Sequence, residues 1–163
     1  MRPAIPTETG TQQRTSPPLQ PGAELELRIY RKILGLRSKT LQGVMNKVLA
    51  GLDFKTAERL RLRLELTLTE FADAVQIAPR TLHRRRQGGR LQPDESDRVL
   101  RLCRLLGRAE DLFDGDERQA RLWLQRKQRA LGARSPLLTA RTDIGVRQVD
   151  ELIGRLEHGV FTT

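Results

Sequence analysis

The sequence predicts an all-α protein, on three observations. Apolar residues recur at i, i+3, i+4 and i+7 along much of the chain, capping residues and glycines bracket those runs, and no two segments read convincingly as paired strands. The 163 residues suffice for one compact domain or two small helical ones. With 37% hydrophobic but only 4% aromatic residues, the core must be built mainly from Leu, Val, Ile and Ala.

Residues 1–23 are read as a flexible tail, because five prolines among Thr, Gln and Gly leave too little apolar surface to offset chain entropy. Between Glu24 and Ile33 the spacing leaves both states open. Leu25, Leu27 and Ile29 alternate like a strand, whereas Ile29, Ile33 and Leu34 fit a helix, favoured because nothing nearby would pair with a strand. Leu41, Val44, Met45, Val48 and Leu49 form a helical stripe that Gly51 ends, and Ala57, Leu60 and Leu64 mark a second helix. Thr67-Leu-Thr-Glu70 has the spacing of a capping box and opens a short helix through Phe71, Ala72 and Val75. Gln76-Ile77-Ala78 is the turn, Pro79 starts the next helix with its φ already set, and Gly88-Gly89 stops it.

A long helix is expected from about Pro93 to Leu106, with Asp94, Glu95 and Asp97 complementing its N-terminal dipole. Val99, Leu102, Cys103 and Leu106 form its apolar stripe, so Cys103 reads as a packed core thiol. Ala109–Phe113 and Asp116–Leu124 read as two further short helices, with Trp123 as a packing residue. Gly132 and Pro136 mark a loop, and a last helix spans roughly Ile144 to Leu156 between Thr142-Asp143 and Gly159.

The net charge of +10 points to a polyanionic partner, and its distribution refines that. Residues 24–53 carry +3 and 54–108 carry +6, whereas 109–134 carry +1 and 135–163 carry −1. Two functional halves follow, 24–108 and 109–163. Every hydrophobic run is broken by charge, so no membrane span or secretory leader is expected, and a lone cysteine suits a cytoplasmic setting.

Two short helices around a tight turn, the second rich in arginine, are the parts of a helix-turn-helix at about residues 67–88. With Leu82 inward, Arg80, His83, Arg84 and Gln87 share the opposite face and can enter a major groove, where arginine reads guanine O6/N7. Thr81 joins them as a DNA-contact candidate, and Arg85, Arg86 and Arg90 flank the face and suit phosphate contacts. Gln76 stands where glycine is commonest, Arg85 where an apolar residue usually packs, and Ala78 is a poor N-cap. No Gly-rich phosphate loop, G-x-S-x-G or H-E-x-x-H occurs, and His83 and His158 stand far from any Cys/His cluster. Neither catalysis, a cofactor nor a metal is expected.

Beyond these residues the chain resembles a known family. Arg80-Thr-Leu-His-Arg-Arg-Arg86, Gly89-Arg-Leu91 and Pro93-Asp-Glu-Ser-Asp-Arg98 are similar to the antitoxins of RES–Xre toxin–antitoxin systems, within the MbcA/ParS/Xre family. Ala120-Arg-Leu-Trp-Leu124, Ala130-Leu-Gly132, Ser135-Pro-Leu137, Thr142-Asp-Ile-Gly145 and Arg155-Leu-Glu-His-Gly-Val160 continue the match over about residues 40–163. The resemblance implies a protein whose Xre-like half binds operator DNA and represses its operon, while its C-terminal half sequesters a RES-domain toxin that degrades NAD. It further implies that Glu157, His158, Gly159, Val160, Phe161 and Thr162 lie against the toxin's NAD pocket, and that toxin and antitoxin form higher assemblies. One helix-turn-helix per chain predicts a homodimer on an inverted repeat, joined through the 93–106 helix or the C-terminal half. The competing reading is a DNA-binding repressor whose C-terminal half only dimerises. An RNA-binding module is disfavoured by the lack of interleaved aromatics.

Overall fold

The N-terminal ambiguity resolves as helix in the computed structural model, which describes residues 21–159. Helix α1, Pro21–Ile29, runs into a π-helical turn at Tyr30–Leu34 that ends on left-handed Gly35. The wider π turn shifts the buried face along the chain, so Leu27, Ile29, Tyr30, Ile33 and Leu34 all reach the core. Residues 1–20, most of the expected tail, lie outside the described residues.

Helix α2, Leu41–Leu49, starts at Thr40, whose hydroxyl accepts the Gly43 N–H at 3.1 Å. Its apolar stripe is wider than the face that the fold covers. Val44 and Val48 are buried, whereas Met45 and Leu49 are 52% and 65% exposed. Helix α3, Phe54–Arg63, buries Phe54, Ala57 and Leu60, and α4, Leu68–Ala74, and α5, Pro79–Gly88, follow.

Helix α6 runs from Pro93 to Leu112, about 30 Å, and α1, α2, α3, α7 and α9 pack on it. The expected break near Leu106 and the separate helix at 109–113 are corrected. The stripe of Val99, Leu102, Cys103 and Leu106 continues into Ala109, and the buried Glu110 carboxylate meets Lys32 Nζ at 2.8 Å and Arg63 Nε at 2.9 Å. A buried acid needs such partners, and Lys32 and Arg63 supply them. Residues 108 and 109 both lie inside α6, so the two halves share a helix. The expectation that the 93–106 helix joins two copies is corrected as well, because Val99, Leu102, Cys103 and Leu106 are covered by this chain.

Helix α7, Glu117–Gln125, is capped by Asp116, which accepts the Gln119 N–H at 2.9 Å. Trp123 is half-buried with its ring 6.3 Å from that of Phe113, a packing role. The loop expected around Gly132 and Pro136 contains a 3₁₀ turn, Arg129–Leu131, and a short helix α8, Pro136–Thr139. Helix α9, Asp143–Glu157, is capped by the Thr142 hydroxyl, which accepts the Gly145 N–H at 3.1 Å. A Cβ on Gly145 would stand 1.7 Å from the Thr139 carbonyl oxygen, so α8 and α9 meet where only glycine fits. Among the described residues no helix is long and apolar enough to cross a membrane.

Candidate nucleic-acid and partner-binding sites

The helix-turn-helix forms because each local signal is satisfied. The Thr67 hydroxyl accepts the Glu70 N–H at 3.2 Å, and the Glu70 carboxylate accepts the Thr67 N–H at 2.8 Å, completing the capping box. Those bonds, the backbone N–H first, hold the Glu70 carboxyl below its usual range. At the turn Gln76 takes φ 55°, the left-handed conformation that glycine adopts without cost. Its carbonyl accepts Arg98 Nη1 at 2.6 Å, and its side-chain amide donates to the Asp73 carbonyl at 3.2 Å. Phe71, Ala72, Val75, Ile77 and Leu82 are all buried, so the two helices lock through the predicted apolar positions. Ala78 makes no side-chain cap, Pro79 opens α5, and left-handed Gly89 closes it.

Outside this seam, Arg80, His83, Arg84 and Gln87 are exposed along one face, with Gln87 Nε2 3.4 Å from His83 Nε2 and Thr81 half-buried beside them. Arg86 is also exposed, on the flank towards α3. There the Arg61 hydrogen bond, aided by the charge of Arg86, holds the Glu58 carboxyl low. Among the described residues, Arg80, Arg84 and Arg86 form no ion pair.

Two of the expected phosphate contacts are otherwise engaged. Arg85 Nε donates to both Glu95 oxygens, at 3.0 and 2.8 Å, and the buried Glu95 also accepts the Gln92 N–H at 2.8 Å. Arg85 therefore fastens α5 to the first turn of α6, in a position where an apolar side chain would otherwise pack. Arg90 Nη1 donates to the Ala50 and Gly51 carbonyls, both at 3.1 Å, and Nη2 reaches Asp53 at 3.4 Å. Arg85 is thus held to Glu95 and Arg90, still more than half exposed, to the segment after α2, while Arg80, Thr81, His83, Arg84, Arg86 and Gln87 form the rest of the candidate surface. The sequence carried one pointer to the Arg85 tie: an arginine at an apolar position, followed ten residues later by Glu95 in the next helix start.

In the C-terminal half, Glu157 accepts Arg108 Nη2 at 3.4 Å, so its carboxylate is already paired within the chain. His158 and Gly159 are exposed, and Val160, Phe161 and Thr162 lie outside the described residues. Most of the negative charge of this segment is paired within the chain. Asp143 pairs with Arg101, and Asp150 with Arg104 at 3.2 Å. Exposed apolar side chains remain at Leu138 and Ile144, 45% and 66% exposed. Leu138 borders a groove of about 350 Å³ between α4 and α8, lined also by Leu66, Glu70 and Leu137 and spanned by an Arg141–Asp73 ion pair at 2.8 Å. Among the described residues no three His, Cys, Asp or Glu side chains are grouped to hold a metal.

A helix-turn-helix with solvent-facing arginines on its second helix, sharing a central helix with a second helical layer, defines a two-part helix-turn-helix protein of all-α class. Residues 44–104 match the model of the antitoxin Xre-like helix-turn-helix domain, and residues 108–159 match that of the antitoxin Xre/MbcA/ParS C-terminal toxin-binding domain. The chain is 36% identical to an antitoxin Xre of Yersinia enterocolitica serotype O:8 / biotype 1B, over 82% of this chain and 90% of that protein. It is 42% identical to an antitoxin Xre of Photorhabdus laumondii subsp. laumondii, over 53% of this chain and 59% of the relative. The chain belongs to the Xre antitoxin family.

Proposed function

We propose that this protein is the antitoxin of a toxin–antitoxin pair that represses its own operon and neutralises a RES-domain, NAD-degrading toxin. The observation that carries the DNA-binding half is the set of free guanidinium groups on α5. Arg80 and Arg84 share a face with His83 and Gln87 that a major groove can admit, and Arg86 stands at the edge where a phosphate would lie. A single reading helix per chain addresses one half-site, so two copies act on an inverted repeat. The toxin-binding half is supported by the C-terminal family match over residues 108–159 and by the exposed apolar side chains of Leu138 and Ile144. In this reading the chain end from Glu157 to Thr162 covers the toxin's NAD pocket, Glu157 being steadied by Arg108. The protein works by binding, in the cytoplasm, where the operator and NAD are found.

The test is co-purification with the product of the adjoining gene, followed by an NAD-consumption assay and a gel shift on the DNA upstream of the pair. The expected result is a stable complex, silent towards NAD, that shifts the upstream DNA. Removing residues 157–163 is expected to restore NAD loss without abolishing the shift. NAD consumption that stays blocked after that truncation would sink the pocket-covering mechanism, and a neighbour with no action on NAD would sink the choice of toxin.

A further inference from the structure

The charge of the C-terminal half is separated along the chain. Residues 109–134 hold six cations and five acids, a net of +1, yet all five acids fall within 110–117 and all six cations within 118–134. From Arg118 to Arg141 the chain meets seven cations and no acid, a longer acid-free run than the one that contains α5. Arg121 pairs with Glu65 at 3.0 Å and Arg141 with Asp73 at 2.8 Å. Arg126, Lys127, Arg129 and Arg134 are exposed and, among the described residues, form no ion pair. Solubility is served by interspersed charges of both signs, so a run of one sign points to an anionic partner.

These four cations stand on an ordered loop between α7 and α8. The Gln128 N–H donates to the Arg134 carbonyl and the Ala133 N–H to the Gln128 carbonyl, both at 3.0 Å, which closes the loop on itself. Gly132 and Ala133 turn the chain in the left-handed conformation, and Leu131 is buried beneath it. The Gln128 side-chain amide donates to the Arg126 carbonyl at 3.2 Å. A backbone already held in place loses little freedom when its side chains meet a ligand.

Both ends of the loop abut the helix-turn-helix. Gln125, just before it, donates its side-chain amide to the Leu64 carbonyl at 3.0 Å. Gln125 and Ser135, which follows the loop, line the same groove as Leu66 and Glu70, so the loop emerges beside the first turn of α4. In a docked helix-turn-helix the first helix crosses the DNA backbone while the second enters the groove. Helix α4 carries Glu70 and Asp73 but no Lys or Arg, so the helix that meets phosphate brings the wrong charge. Arg141 neutralises Asp73, and the four cations of the loop outweigh Glu70. We propose that Arg126, Lys127, Arg129 and Arg134 form a second phosphate-binding surface, which holds the DNA backbone beside α4 and gives the C-terminal half a direct part in DNA binding. The DNA is placed on this side by the reading of α5 given above, on which this assignment rests. The place of the loop beside the backbone-crossing helix favours phosphate over an acidic protein surface.

The test is fluorescence anisotropy of the full chain on two labelled duplexes, the DNA upstream of the gene pair and an unrelated sequence, between about 50 and about 200 mM salt. Arg126→Gln/Lys127→Gln/Arg129→Gln/Arg134→Gln, at exposed positions that leave the fold intact by circular dichroism, is expected to weaken binding about 10-fold or more on both duplexes. The slope of log K against log salt is expected to flatten by about two units or more, with the preference between duplexes unchanged. Arg37→Gln/Lys39→Gln/Arg147→Gln/Arg155→Gln removes the same charge from exposed positions elsewhere and is expected to flatten the slope by less than about one unit. Because Cys103 is the sole cysteine and is buried, Lys127→Cys adds one accessible thiol. Labelled with benzophenone maleimide, that thiol is expected to photo-cross-link to the upstream duplex.

A loop variant that keeps the wild-type slope, or a labelled Lys127→Cys chain that binds the duplex without cross-linking, would overturn the proposal. So would an equal flattening in the two quadruple variants, which would make net charge the cause. Loss of toxin capture at an unchanged slope would make the toxin the occupant and overturn it too. Equal binding of wild type to the two duplexes, with the slope still lost in the loop variant, would count against the operator reading and leave the phosphate surface standing. A wild type that binds neither duplex at about 50 mM salt would overturn both.

Discussion

Helices α5 and α6 are both rich in arginine, and the structure puts that charge to opposite uses. On α5, Arg80, Arg84 and Arg86 point into solvent without an acid partner among the described residues. On α6, Arg98 pairs with Asp94, Arg101 with Asp97 and Asp143, Arg104 with Glu26 and Asp150, and Arg108 with Asp150 and Glu157. Three of the four acids after residue 135 are thus consumed by α6. A segment count that gives the first half its positive charge and the second a slight negative one describes two sides of the same contacts. Which arginines are left over, rather than how many there are, distinguishes the exposed second helix of the helix-turn-helix from the packed central one.

The largest expected break in this arrangement comes from Gly145→Ala. Its new Cβ would collide with the Thr139 carbonyl and push the start of α9, with Asp143, away from Arg101. A clash with backbone leaves no flexible side chain to yield, so the cost is about 3 kcal/mol or more, read from urea denaturation. With α6 partly uncovered, non-specific DNA binding is expected to rise. Stability within error of wild type would mean that the α8–α9 approach is not as close as described.

Glu95→Ala comes next. It removes the carboxylate that caps α6 and strands Arg85, so the loss is expected to exceed the ~1 kcal/mol of a missing helix cap. Arg85→Met is the informative companion. If Arg85 is a fastener, the salt slope of DNA binding stays unchanged; if it touches phosphate, the slope flattens by about one unit.

Arg84→Ala and Arg104→Ala set the two helices directly against each other. The α5 variant is expected to lose about 10- to 100-fold of discrimination between the best operator sequence and its single-base variants. The α6 variant is expected to leave that discrimination intact while loosening contacts to Asp150 and Glu26. Equal losses in the two would remove the distinction between free and paired arginines.

Much of the local structure was legible in the sequence because it depends on neighbours. The Thr67–Glu70 box, Pro79, Gly89, Thr142 and the apolar lock of Phe71, Val75 and Leu82 all use groups within a few residues, and each stands where its type predicts. What periodicity could not convey is which surface is covered by distant chain. Met45 and Leu49 belong to a regular apolar stripe, yet only packing decides that Val44 and Val48 are inside and they are not. The Arg85–Glu95 tie, the Arg90 clasp and the pairing of α6 with α9 join residues 10 to 49 apart, and five arginines in one short run look alike until those partners are known.

The starts of α5 and α6 differ in the same sense as their arginines. Helix α6 begins with a completed Gln92–Glu95 capping box, whereas α5 begins at an uncapped Ala78 two residues after left-handed Gln76. A non-glycine residue in that conformation costs of order 1 kcal/mol, offset here in part by the side-chain bond to the Asp73 carbonyl. Gln76→Gly removes the strain and that bond together and adds freedom to the unfolded chain, so the net gain is expected to be about 0.5 kcal/mol. Its carbonyl still accepts Arg98, which keeps α5 in place, so operator discrimination should not move. A variant that gained stability and also lost discrimination would show that the strained turn sets the pose of the reading helix, and that the difference between α5 and α6 begins in backbone geometry before any arginine is counted.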